Sequence, residues 1–163
     1  MSGASPSARK IVAHASALAA ALAQLPRPYV FTNGCFDILH RGHVTYLEEA
    51  AAFGNLIVGV NSDASVRRQN KGTDRPINPL EDRLAMLAAL ASVALVVPFE
   101  QDTPLELILR IRPDHLIKGG DWPVEKIVGA KETLGWGGQV HSIPFRHNRS
   151  TTQLLARIRA HSP

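Results

Sequence analysis

Between Tyr29 and Ile143 the chain repeatedly sets a short apolar run against a longer stretch of helical spacing, and this alternation restricts the fold more than any other feature. The runs are YVFT (29–32), LIVGV (56–60), ALVV (94–97), HLIK (115–118) and QVHSI (139–143). Runs that are apolar throughout suit strands buried on both faces, as in a parallel sheet covered by helices. Helical segments are expected from about Gly42 to Phe53, from Asn78 to Leu90, from Thr103 to Arg112, briefly after Trp122, and over STTQLLARIRA (150–160). Asn78, Pro79 and Glu81 predict a capped helix start, and Thr103, Pro104 and Glu106 repeat the pattern. The expected fold is α/β: a Rossmann-like doubly wound sandwich with a five-stranded parallel sheet flanked by helices. Ligands of such sheets bind outside the carboxyl ends of the strands, where the strand order reverses.

The 163 residues, 45% of them hydrophobic, are enough for one core. A tail and helix over 1–26 are expected to pack on a single domain spanning 27–163, with residues 1–8 disordered. Ile11, Leu18, Leu22 and Leu25 recur at helical spacing, whereas His14, Ser16 and Gln24 interrupt what would be the apolar core of a secretory signal. No apolar run approaches the roughly 20 residues of a membrane span, so no membrane partner is expected. Cys35 is the single cysteine, which excludes an intrachain disulfide and suits a reducing, cytoplasmic compartment. The net charge of +4 favours anionic partners, phosphorylated small molecules as readily as nucleic acid.

The polar chemistry collects where predicted strands stop: Asn33–His43, Asn61–Asp63, Lys118–Trp122 and Arg146–Thr152. Neither G-x-x-x-x-G-K-[ST] nor G-x-G-x-x-G is present. Instead HRGH puts His40 and His43 on one face at a helix start, with Gly42 between them to let phosphate oxygens near the backbone. The pI and scattered basic residues also raise an RNA-binding reading, but few aromatics accompany them, and no nucleic-acid partner is expected. A nucleotide sensor without catalysis is the other rival, although no cation or His of the pattern is missing.

This pattern resembles the H-x-G-H nucleotidyltransferase superfamily. FTNGCFDILHRGHVTYLEEA, VNSDASV, KGTDRPINPLEDR, LIKGGDW and STTQLL resemble, in order, the motifs of the heptose 1-phosphate adenylyltransferases, which make ADP-heptose for lipopolysaccharide or surface polysaccharide. The resemblance implies transfer of AMP from ATP to a sugar phosphate with release of pyrophosphate. The alternative is a cytidylyltransferase acting on glycerol 3-phosphate or another small phosphate, but that branch usually shows Gly-Thr-Phe-Asp where this chain has NGCFD. A homodimer or higher homo-oligomer and a separate sugar kinase are also implied. By the same resemblance His40, His43 and Lys71 are catalytic. Thr32, Asn33, Gly34, Cys35, Phe36, Gly42, Lys118, Gly119, Gly120, Asp121, Trp122, Ser150, Thr151 and Thr152 contact the nucleotide, and Asn61, Asp63, Arg75 and Arg83 the acceptor. Trp122 stands where the family often has Tyr. Mg²⁺ is expected on the phosphate oxygens, with no protein ligand.

Simpler readings accompany these. Cys35, Asp37, His40 and His43 match no familiar zinc spacing. Asp37 is expected to bond backbone N–H groups rather than to catalyse, and Cys35 to pack. Lys71 and Arg75 lie in a polar loop (69–77) that is expected to close over bound phosphates. His14, His115, His141, His147 and His161 have no motif support and are read as surface or structural residues.

Overall fold

A computed structural model of the chain describes residues 5–69, 74–147 and 150–161. Its sheet has five strands: β1 (Tyr29–Gly34), β2 (Asn55–Asn61), β3 (Val93–Phe99), β4 (His115–Gly119) and β5 (Gln139–Ile143). They pair in parallel in the order β3-β2-β1-β4-β5. Order therefore reverses at β1, between β2 and β4, and the carboxyl ends of β1 and β4 mark the crevice.

The alternation of side chains along β1 shows how both faces are covered. Phe31 packs with Ile57, Leu107, Ile108 and Leu116 on one face; Val30 packs with Leu47, Val58, Leu87 and Ile117 on the other. The first layer is formed by α1 (Leu18–Ala23), α5 (Leu105–Ile111) and α6 (Ala130–Gly135), the second by α2 (Arg41–Ala51) and α4 (Leu80–Ala89). Between β2 and α4 lies α3 (Asp63–Arg68), capped by Ser62, whose Oγ accepts from Ser65 N at 3.1 Å. The chain ends in α7 (Thr151–Ala160), capped by Ser150 through Gln153 N at 3.2 Å.

The amino-terminal segment departs from the expected continuous helix. Ile11 forms a parallel bridge to Val96, Val12 N donates to Val96 O at 2.9 Å, and helix is confined to Leu18–Ala23 after a 3₁₀ turn at Ala15–Ala17. The cause is the open edge of β3, whose unpaired backbone groups take up this extended segment. Val12, Leu18 and Leu22 are buried in the same cluster as Phe31. Part of the stretch expected to be disordered is also structured, since a 3₁₀ turn begins at Ala8; residues 1–4 lie outside the described residues.

Two helix starts also differ. Asn78 does not cap α4; Pro79 precedes its first turn, and Asn78 serves Asp37 instead. Pro104 rather than Thr103 stands immediately before α5, without a side-chain cap.

Candidate active site

At the end of β1 the chain loops through Cys35–Leu39 and enters α2 with His40 in the N-cap position, extended at φ −143° and ψ 170°. Its side chain makes no capping bond, so the first-turn N–H groups of α2 receive no acceptor from it. The His40 and His43 rings stack, centroids 3.9 Å apart and planes 21° apart. Nδ1 of each ring is buried with no hydrogen-bond partner among the described residues. Burial, reinforced by the neighbouring His40, brings the His43 imidazole down to about 4, and burial lowers His40 as well. At neutral pH His43 is thus an uncharged ring with one N–H to give. A Cβ on Gly42 would lie 3.0 Å from His40 Cε1 and Nδ1, so glycine at this position makes room first for the His40 ring.

Two ion pairs hold the loops around this stack. Asp37, wholly buried, accepts from Arg75 Nε at 2.5 Å, from Ile77 N at 2.9 Å and from Asn78 N at 2.9 Å. Arg75 is itself only 8% exposed, so it is not a solvated loop charge awaiting a ligand. Arg83, expected at the pocket surface, has 0% exposure and lies beneath the rim. Its guanidinium donates to Asn78 O at 3.0 Å, Cys35 O at 2.7 Å, Asn61 O at 2.8 Å and Asp63 Oδ1 at 2.7 Å. One side chain thereby ties the loops after β1 and β2 to the start of α4. Asn61 is also buried, its amide donating to Ser65 Oγ at 3.0 Å. Lys71 lies outside the described residues.

Three adjoining hollows run along the rim. The first is bounded by Cys35, Phe36, Asp37, His43, Arg75, Thr151 and Thr152. The second shares Cys35, Phe36 and His43 with it and adds Asn33, Gly34, Tyr46, Lys118, Gly119 and Phe145. The third meets the second at Asn33 and Lys118 and extends to Pro104, Trp122, Lys126 and Val128. Most sequence-predicted residues thus come together, although Thr32 is buried beneath with its hydroxyl 2.5 Å from Tyr46 OH. Thr151 Oγ1 lies 3.4 Å from Ile38 O, and Asp121 and Thr152 are exposed.

The glycines at the end of β4 and just after it make room for aromatic side chains. A Cβ on Gly119 would come within 2.7 Å of the Phe145 ring. Gly120 adopts φ +110°, where a Cβ would be strained and would lie 2.8 Å from Trp122 Nε1. The indole N–H donates to Gly119 O at 3.2 Å, and Trp122 N to Ser142 Oγ at 2.9 Å. Tyr46, Phe145 and Lys126 were missed from sequence. Tyr46 sits three residues after His43 on α2, a spacing that could have flagged it; Phe145 and Lys126 carry no local signal.

A parallel sheet covered by helices on both faces, with polar groups collected at its switch point, defines an α/β protein with a ligand site at the carboxyl ends of its strands. The chain belongs to the cytidylyltransferase-like family, which matches residues 31–157. It is 54% identical to D-beta-D-heptose 1-phosphate adenylyltransferase of Bordetella bronchiseptica, over 92% of this chain and 94% of that protein. It is 56% identical to the bifunctional protein HldE of Pseudomonas aeruginosa over 80% of this chain, but that match spans only 28% of HldE. Among solved structures, the lipopolysaccharide core biosynthesis protein of Thermoplasma volcanium aligns at TM-score 0.59 and 27% identity, covering 74% of this chain and 98% of that one. Pantothenate synthetase of Thermus thermophilus shares the fold at TM-score 0.55 and 19% identity, covering 82% of this chain and 61% of that one.

Proposed function

We propose that the protein transfers AMP from ATP to a heptose 1-phosphate, forming ADP-heptose and pyrophosphate. The observation that carries this reading is the stacked, half-buried His40–His43 pair at the start of α2, with both Nδ1 atoms unpartnered among the described residues and His43 lining two of the rim hollows. Buried polar atoms without partners are rare, and here they belong to a ring pair of which His43 borders the cleft. The relatedness to the Bordetella enzyme supports the choice of nucleotide and sugar.

A phosphate monoester loses its second proton near pH ~6, so the acceptor arrives as a nucleophile and needs no general base. Its oxygen attacks the α-phosphorus of ATP in line; the bond from that phosphorus to the bridging oxygen breaks, and its electron pair leaves with pyrophosphate. The protein's work is positioning and charge stabilisation. His43 and His40 donate to phosphate oxygens as charge moves onto the leaving group, and neutral rings do this without the cost of burying two cations. Ser150, Thr151 and the amino end of α7 offer hydroxyls and N–H groups to the outer phosphates. Lys71 supplies a further cation. Arg83 acts through the loops it ties, not by touching substrate.

Among the described residues no group of three His, Cys, Asp or Glu side chains suits a metal ion, and Asp37 is committed to Arg75. Mg²⁺ would enter on the phosphate oxygens of the nucleotide, where its hard-cation chemistry suits it, and no step is assigned to it. None of the described helices is long and apolar enough to cross a membrane. We place this ATP-consuming enzyme in the cytoplasm, as a homodimer or higher homo-oligomer, which light scattering tests.

The functional test is pyrophosphate release with ATP, CTP, GTP and UTP, each against heptose 1-phosphate anomers and glycerol 3-phosphate, with the sugar nucleotide identified by mass. ATP with a heptose 1-phosphate should be the productive pair. CTP outperforming ATP with every acceptor would replace this reading by cytidylyl transfer.

A further inference from the structure

The two edges of the sheet are finished differently. At β3 the chain covers its own edge, with Ile11 bridged to Val96 and Val12 N donating to Val96 O at 2.9 Å. At β5 the sheet ends, and no described strand or bridge pairs with the outer side. No residue of β5 is buried, although β4 beside it carries Leu116 and Ile117 into the core. Open edges are usually blunted by proline, lysine or another charge, or a bulge, because free N–H and C=O groups invite a further strand. Gln139–Ile143 contains no proline, lysine or carboxylate, and its register with β4 is unbroken. Burial and the neighbouring His115 hold His141 below its ordinary range, so the strand is uncharged at neutral pH.

The bonds at either end of β5 fix which backbone groups face outward. Gln139 N donates to Asp114 O at 2.8 Å, and Ile143 O accepts from Gly120 N at 2.8 Å. In a parallel ladder alternate residues turn both backbone groups to the same neighbour, so Gln139, His141 and Ile143 serve β4. The N–H and C=O of Val140 and Ser142 then point away from the sheet. These two residues flank His141 symmetrically. A second β5 laid antiparallel, with His141 opposite His141, sets Val140 of each copy against Ser142 of the other, and each such pair exchanges both N–H···O bonds. The edge is complementary to itself about a two-fold axis, the condition an isologous dimer must meet.

From this we propose that β5 is the interface between two copies of this chain, whose sheets join into one across an axis at His141. The proposal extends the homo-oligomer reading above by giving it a place. Exposed apolar side chains accompany the edge on both faces: Phe53 packs 4.5 Å from His141 on one, and α6, packed on β5 from the other, leaves Leu134 exposed. No like charges meet across the axis, where uncharged imidazoles face each other and Gln139 faces Ile143. No residue of β5 lines any of the three rim hollows, so pairing leaves the crevice open.

Sedimentation equilibrium of the full chain measures the dimer dissociation constant of wild type, Val140→Pro and Ile158→Asp, the last a change on exposed α7. Proline at position 140 removes only an N–H that faces outward, so it keeps the bonds to β4 while blocking the pairing. Wild type should be dimeric; Val140→Pro should raise the constant by about tenfold or more, and Ile158→Asp should leave it within about twofold. Should the proline variant fail to fold, cysteine substitution decides. Across the axis His141 stands opposite itself with Cβ atoms about 4.5–5.5 Å apart, so mild oxidation should join the chains of His141→Cys. The two Gln139 positions lie roughly 13 Å apart in this register, so Gln139→Cys should stay unlinked. Wild type, whose single Cys35 is buried, should stay unlinked as well. A monomeric wild type would overturn the interface, as would a dimer that Val140→Pro leaves intact and His141→Cys does not link. Loss of the dimer in Ile158→Asp alone, or equal linkage at positions 139 and 141, would overturn it too. Pyrophosphate release by wild type is measured in parallel: its absence removes the functional reading, whereas an active monomer removes the interface alone.

Discussion

Two pairs of histidines occupy opposite ends of the same sheet, and they are built differently. At the carboxyl end His40 and His43 stack at 3.9 Å and leave both Nδ1 atoms unpartnered. Toward the amino end His115 Nδ1 and His141 Nε2 lie 3.1 Å apart and satisfy one another, with Phe53 packed 4.5 Å from His141. One ion pair from each end shows a parallel contrast. Asp37–Arg75 at the rim is buried, whereas Arg27–Asp114 at the other end is 52% and 37% exposed. The pair toward the amino end is satisfied within itself, whereas the pair at the carboxyl end keeps ring nitrogens without a partner.

Substituting the ion pairs should expose this difference most strongly. Asp37→Ala strands a buried guanidinium and should cost roughly 3–5 kcal/mol in chemical denaturation. Arg27→Ala, removing an exposed partner, should cost about 0–1 kcal/mol. Equal losses would erase the contrast between the two ends.

Activity comes next. His43→Ala should lower kcat by about a hundredfold or more, as expected when a donor to developing charge is removed, with the fold retained. His141→Ala should leave kcat within about twofold. A comparable loss from both would mean that histidine pairs act here through the fold alone.

The pH dependence of stability is a smaller effect with a defined sign. His43 takes up its proton at about 6.5 when unfolded and about 4 when folded. Between those values the unfolded chain binds more protons, so stability falls as pH drops through this window and levels off below it. In urea denaturation from pH 4 to 7, His43→Gln should flatten that slope. The smallest effect is at α7, where Ser150→Ala should cost about 1 kcal/mol through loss of the cap.

The strands were legible because their residues are apolar on both faces, and LIVGV or QVHSI carries that information locally. The rim motifs were legible because Asn33–His43 and Lys118–Trp122 directly follow such runs. What stayed hidden depended on partners far along the chain. Ile11 looks helical until the open edge of β3 is known, and Asn78 looks like a cap until Asp37 is seen to accept its N–H. Arg83 and Arg75 could not be told apart from surface cations, because their burial is set by Cys35, Asn61, Asp63 and Asp37. The second and third hollows combine residues as distant as Asn33 and Phe145, or Asn33 and Lys126, and no spacing announces that.

The most direct test of the division between the ends is ¹⁵N NMR of the histidine rings, free and saturated with a non-hydrolysable ATP analogue and Mg²⁺. Resonances of His40 and His43 should move as their nitrogens gain phosphate partners, while those of His115 and His141 stay where they were. A nucleotide that leaves the His40 and His43 rings unshifted, or shifts both pairs alike, would contradict the account that the unpartnered pair is the phosphate-binding element of the site.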